Sequence, residues 1–211
     1  EIPLRLVGSE MCIRDSAYVY ICCQTMNGNH DQTAALLFLR REFPMGEKVI
    51  NAALLGLGTV GTGVYKVLKN QEEEMTAKIG CKVKIRKILV RNLEKAAGKV
   101  DDPAVLTNSW EDIKADPSID IIIELIGGIE PARTYILDAL HAGKHVVTAN
   151  KDLIAVHGKE LMDTARASHV DFLFEAAVAG GIPIIRPLKQ CLAGNHMSEV
   201  MGIVNGTTNF I

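Results

Sequence analysis

The chain has 211 residues, 48% of them hydrophobic and 23% charged, and its 23 Lys+Arg against 25 Asp+Glu give a formal net charge of −2. Such a balance excludes nucleic-acid binding through a broadly basic surface, and no run of about 18 apolar residues marks a membrane span. The five cysteines, Cys12, Cys22, Cys23, Cys81 and Cys191, are odd in number and lack C-x-x-C spacing, so neither a zinc site nor a disulfide framework is expected, and a reducing, cytoplasmic compartment fits.

Residues 1–44 hold three of the five cysteines but only two of the 18 glycines. They carry no sustained period of two or 3.6, except over 33–41, where a short helix is possible. The stretch 7–16 resembles translated adapter text. We read 1–44 as a segment outside the fold, with one whole domain over 45–177 and the opening of a second over 178–211.

From Met45 the pattern changes. Val49–Leu55 is an apolar run ended by glycine, which predicts a buried strand. Apolar residues at Val60, Val64, Val67 and Leu68 predict a helix from Thr59 to about Asn70. The charged stretch 71–80 reads as the frayed end of that helix and a loop. Residues 81–90 alternate, with Val83, Ile85 and Ile88 apolar, as a second strand does. A short helix is expected over 93–97 and a break at Asp101-Asp102-Pro103. Another helix is expected from Ser109, with Ser109 as N-cap and Asp112 completing a weak capping box. Residues 119–126 form an apolar run before Gly127-Gly128. A helix follows from Pro131 to a Gly143 C-cap, then a strand over 146–149, a helix over 158–167 and a strand over 170–176. A helix over 183–192 and a strand over 199–204 complete the series. Strands and helices alternating in this way predict an α/β fold, a doubly wound parallel sheet of the Rossmann type followed by the start of an α+β domain.

Gly56-Leu57-Gly58-Thr59-Val60-Gly61 matches G-x-G-x-x-G between a strand and a helix, the context in which that pattern holds a pyrophosphate. Gly56 permits the tight turn, Gly58 lets the phosphates approach the backbone, and Gly61 permits close packing. The helix N-terminus, through the Thr59 and Val60 amides, then holds the anion. An acidic residue at the second strand's tip would favour NAD. Val90-Arg91-Asn92 stands there instead, and the Arg91 guanidinium suits a 2′-phosphate, so NADP is expected over NAD. The spacing from the glycines to this tip is longer than usual.

Thr148-Ala149-Asn150-Lys151 follows a strand directly. Ligands bind beyond the carboxyl ends of strands in open α/β sheets, so Thr148, Asn150 and Lys151 are candidate cofactor contacts. The Lys151 ammonium can share charge developing on a substrate oxygen. Glu175 precedes a run of small residues, Ala176 to Gly181. It reads either as a cap for the next helix or, with exposed carbonyls, as a site for a hard cation. The histidines have no zinc spacing, and no Ser or Cys has a placed base.

Together these segments resemble homoserine dehydrogenase, through Gly56-Leu-Gly-Thr-Val-Gly-Thr-Gly63, Glu124-Leu-Ile-Gly-Gly128, Thr148-Ala-Asn-Lys151, Phe174-Glu-Ala-Ala-Val-Ala-Gly-Gly-Ile-Pro183 and Asn205-Gly-Thr-Thr-Asn209, over about residues 48–211. The resemblance implies NAD(P)-dependent interconversion of L-homoserine and L-aspartate 4-semialdehyde, in threonine and methionine biosynthesis. It implies that Thr59 and Val60 contact the cofactor and that Lys151 lies in the active site. Glu175 with the carbonyls of Val178, Gly180 and Ile182 would hold Na+ or K+, and Gly206 and Thr207 would border the small-molecule substrate. A homodimer is implied for the full-length protein. The chain departs from the family by stopping at Ile211, before the acidic substrate ligands and the proton-donating lysine of the second domain. It is therefore expected to bind cofactor without turning over. Two other readings satisfy the glycine turn alone: a different NAD(P)-dependent amino-acid dehydrogenase, and an NAD(P)-sensing module without catalysis.

Overall fold

A computed structural model describes residues 49–202 of the chain. The expectations for residues 1–44, for Gly206 and Thr207, and for the last two residues of the 199–204 strand lie outside the described residues. In chain order the elements are β1 (Val49–Leu55), α1 (Thr59–Asn70), α2 (Glu72–Ile79), β2 (Lys82–Leu89), α3 (Leu93–Ala97), β3 (Leu106–Thr107), α4 (Glu111–Lys114), β4 (Ile121–Glu124), α5 (Ala132–His141), β5 (His145–Thr148), α6 (Lys151–Ala167) and β6 (Phe172–Leu173). The strands form one six-stranded sheet in the order β3-β2-β1-β4-β5-β6, every pair parallel. That is the doubly wound arrangement expected, and its strand order reverses between β1 and β4, where such sheets bind ligands.

Both faces of the central strands are buried, because successive side chains point to opposite sides and helices cover each. On β1, Ile50, Ala52 and Leu54 join one core with Val64 and Leu68 of α1. Ala53 and Leu55 join the other with Ile136 and Leu140 of α5. In the first core Ile85 and Ile88 share a face although they are three positions apart. The pairing explains this: Ala52 faces Ile85 while Ala53 faces Lys87, so Arg86 is an extra residue on β2, and such a bulge shifts the alternation by one. Lys84 and Arg86 stay exposed because β3 pairs only with Ile88 and Leu89 at the far end of β2.

The structure departs from the sequence reading at several places. Residues 72–79, expected as a frayed end and loop, form α2, which buries Met75. The added helix explains the long spacing between the glycines and the β2 tip. The capping box at Ser109 does not form. Trp110 occupies the N-cap position of α4 with no side-chain cap, and Asp112 instead accepts the Thr107 hydroxyl at 2.5 Å. The helix expected over 158–167 begins at Lys151, with Gly158 buried in its interior. The strand expected over 170–176 is only Phe172–Leu173. The helix expected over 183–192 appears as a π-helical turn, Pro187–Cys191, and residues 199–202 have no regular structure.

Candidate functional site

The carboxyl end of β1 runs into the glycine turn. Gly56 adopts φ +99°, and a side chain there would also lie 3.0 Å from the Leu125 carbonyl oxygen. The Gly56 amide donates to the Leu89 carbonyl at 3.0 Å, tying the turn to the end of β2. At Gly61 a Cβ would enter the van der Waals shell of the Gly56 carbonyl oxygen. This third glycine thus packs α1 against the turn itself. A Cβ at Gly58 would meet nothing within 4 Å. Gly58 is the N-cap of α1 and no side chain caps the helix, while Thr59 and Val60 are exposed. The first amides of a helix have no partner within it and carry the positive end of its dipole. Open space in front of uncapped amides is what an anion requires.

Across the reversal point, the ends of β4 and β5 are joined by buried polar groups. Glu124, the last residue of β4, is fully buried. One carboxylate oxygen accepts the Ile126 and Gly127 amides at 2.8 and 3.3 Å; the other accepts the Thr148 hydroxyl at 2.6 Å. Thr148 Oγ1 in turn accepts the Asn150 amide at 3.0 Å. The Asn150 side chain donates to the Gly128 carbonyl at 2.5 Å and accepts the Leu153 amide at 3.2 Å, which caps α6. Lys151 is the first residue of α6 and is exposed. A cation is electrostatically disfavoured at a helix N-terminus, so helix stability does not explain Lys151.

The family model described as "Homoserine dehydrogenase, NAD binding domain" matches residues 56–175, and the one described as "Homoserine dehydrogenase" matches residues 183–211. The chain belongs to the homoserine dehydrogenase family. A homoserine dehydrogenase of Bacillus subtilis is 51% identical over 165 residues, covering 78% of this chain and 38% of the relative. One from Corynebacterium glutamicum is 48% identical over 162 residues, 77% of this chain and 36% of the relative. The crystal structure of a homoserine dehydrogenase from Thiobacillus denitrificans superposes with a TM-score of 0.73 at 48% identity, covering 79% of this chain and 38% of that one. The chain thus spans under two-fifths of the length of these relatives.

Within this chain of the homoserine dehydrogenase family, the described site residues read from sequence fall into four groups. Gly56, Gly58, Thr59, Val60 and Gly61 form the turn, and Thr148, Asn150 and Lys151 form the rim on the other side of the reversal point. Arg91 lies beyond the tip of β2 and is exposed. Next to it Asn92 caps α3 by accepting the Lys95 amide at 2.8 Å. Glu175 is buried, and its carboxylate accepts the Ile184 amide, the Ile185 amide at 2.9 Å and the Arg186 amide at 3.1 Å. Of the two sequence readings of this residue, the geometry matches the cap. Among the described residues no cluster of three or more His, Cys, Asp or Glu could hold a metal ion. The carbonyls of Glu175 and Ala179 accept the Val178 and Ile182 amides.

Two residues of the site carried no assigned role in the sequence reading. Glu124 was visible only as part of a motif. Lys99 donates to the Leu57 carbonyl at 2.9 Å, so an exposed cation braces the glycine turn from outside. A pocket of about 310 Å³ lies at the opposite edge of the sheet, lined by Val49, Asp120, Lys144 and His145 among others. Lys144 there is buried and donates to the carbonyls of Asp116 and Ile119 at 2.6 and 3.0 Å. Burial lowers its proton affinity, with Asp116 and Asp120 opposing. A cation already bonded in this way braces the fold, and the carboxyl edge is the candidate site. No helix among the described residues is long and apolar enough to cross a membrane.

Proposed function

We propose that this chain is the cofactor-binding part of an enzyme that interconverts L-homoserine and L-aspartate 4-semialdehyde, with NADP(H) preferred to NAD(H). The observation that carries the reading is the uncapped N-terminus of α1 facing open space at Gly58. The groups present fit a dinucleotide: turn amides for the pyrophosphate, and the exposed Arg91 guanidinium for a 2′-phosphate. When bound, the nicotinamide supplies hydride transfer. The chain's own contribution is to hold the phosphates at the turn and to present Lys151 at the rim. There its ammonium bonds the substrate oxygen and shares the charge that develops on it. Gly206 and Thr207 are proposed substrate contacts.

A Na+ or K+ site at 175–182 is proposed on backbone carbonyls alone, those of Glu175, Val178, Gly180 and Ile182, since the Glu175 carboxylate is taken up by amides. No step depends on it. Domain limits at 45–177 and 178–211, and a homodimer of the complete polypeptide, belong to the same proposal.

Fluorescence titration of the chain with NADPH and NADH is the direct test. NADPH should bind more tightly, and Arg91→Ala should remove about tenfold of that preference, the worth of one charge-assisted contact. Equal binding of the two cofactors, unchanged in Arg91→Ala, refutes the NADP assignment. Homoserine-dependent NADPH formation by the complete polypeptide tests the substrate.

A further inference from the structure

We propose that Glu124 is a positioning residue that makes the two sides of the nicotinamide rim a single unit; the proposal rests on the dinucleotide reading above. Its carboxylate is fully buried, and no Lys or Arg pairs with it among the described residues. A buried carboxylate without a cation is costly unless hydrogen bonds satisfy it. Here every bond comes from the rim. Two amides arrive from the loop after β4 and one hydroxyl from the end of β5.

The bonds form a closed circuit. From Glu124 it runs through Thr148 to Asn150, and from Asn150 to the Gly128 carbonyl on the same loop that Glu124 holds. Asn150 also fixes the first turn of α6, where Lys151 sits. In a buried network each bond depends on its neighbours, so removal of one member loosens the rest. A packing role alone would not need acceptors aimed both at the loop after β4 and at the end of β5. The carboxylate is the only group in the circuit that reaches both the 126–127 amides and Thr148. Gln in its place brings a donor where all three partners donate.

The test uses the 211-residue chain and the variants Glu124→Gln, Thr148→Val and Thr148→Ser. Amide hydrogen exchange reads the circuit without any ligand. In Glu124→Gln, exchange should accelerate at Ile126 and Gly127 and also at Asn150 and Leu153. Acceleration confined to Ile126 and Gly127 overturns the proposal. Binding then separates positioning from general damage. NADPH should weaken about tenfold, as for the loss of one charge-assisted bond. 2′-Phospho-ADP-ribose, which lacks nicotinamide, should keep its affinity. Equal weakening of both ligands, or of neither, overturns the proposal.

Thr148→Val should accelerate exchange at Ile126 and Gly127, which Thr148 does not touch, and Thr148→Ser, which keeps the hydroxyl, should restore those rates, so the pair decides the circuit even if Glu124→Gln does not fold. A parent chain that binds neither ligand refutes the dinucleotide reading instead, and the exchange results then decide the circuit by themselves.

Discussion

Two helices begin at the same edge of the sheet, α1 after β1 and α6 after β5, and they treat their first turns in opposite ways. At α1 the N-cap is Gly58, which has no side chain to offer, and the space before it is open. At α6 the N-cap is Asn150, buried and bonded to Leu153, Thr148 and Gly128. Both ends carry the same unpaired amides and the same positive dipole. One is completed from inside the protein and the other is left without a side-chain cap. A capping side chain is worth about 1 kcal/mol, so α1 forgoes stability that α6 takes. Local rules of this kind are broken mainly where function requires it.

The sharpest way to break the comparison lies within the glycine turn. Gly61→Ala should cost about 3 kcal/mol, the upper part of the range for overpacking, because its Cβ would collide with a backbone oxygen that cannot rotate away. Gly58→Ala should leave the melting temperature almost unchanged, since φ is −77° and nothing lies within 4 Å. It should nevertheless weaken NADPH binding, by filling the space the phosphates need. Thermal unfolding and NADPH titration of the two variants check this. If Gly58→Ala binds NADPH as the parent does, the open space at α1 is not the phosphate site.

The other helix should respond in the reverse sense. Asn150→Ala removes a cap and a bond to Gly128 and should destabilise by about 1–2 kcal/mol in urea unfolding. Asn150→Asp keeps the cap acceptor but loses the amide that donates to the Gly128 carbonyl, and should fall between the two. If Asn150→Ala cost no more than Gly58→Ala, the contrast between the helices would be one of sequence alone.

How legible each helix was follows from where its information sits. The start of α1 is written locally, as three glycines after an apolar strand, and the sequence places it at the residue the structure shows. The start of α6 is not. Val156 is exposed and Gly158 buried, the reverse of what their hydrophobicity suggests, and this breaks the apolar period between the buried Leu153 and Leu161. The short strands β3 and β6 pair through two residues each, too few to show any period. In α2 only Met75 is buried, and a helix with one core residue has no stripe to read. Glu124 looked like a polar end to an apolar run. Its burial depends on Thr148, 24 residues away, and on loop amides, which have no signature in a side-chain sequence.

The smallest expected effect concerns how α6 is held to α5. Arg133 of α5 bonds the Glu160 carboxylate of α6 and reaches Glu130 at 3.5 Å. The Arg133 hydrogen bond, against some desolvation, holds the Glu160 carboxyl below its ordinary value of 4.5. A carboxyl depressed by folding contributes stability that is fully present above its unfolded pKa and is lost as pH falls through the folded one. The tie between α5 and α6 should therefore weaken only below about pH 4.5. The glycine turn contains no titrating side chain, so exchange in the first turn of α1 should not follow the same profile. Glu160 is exposed and Arg133 half-buried, so screening keeps the contribution small. Arg133→Met should flatten the acid limb of exchange across α6 while leaving the neutral-pH melting temperature nearly unchanged. If acid released α1 and α6 together, the two helix starts would belong to one cooperative unit, and the difference in their caps would govern binding without governing local stability.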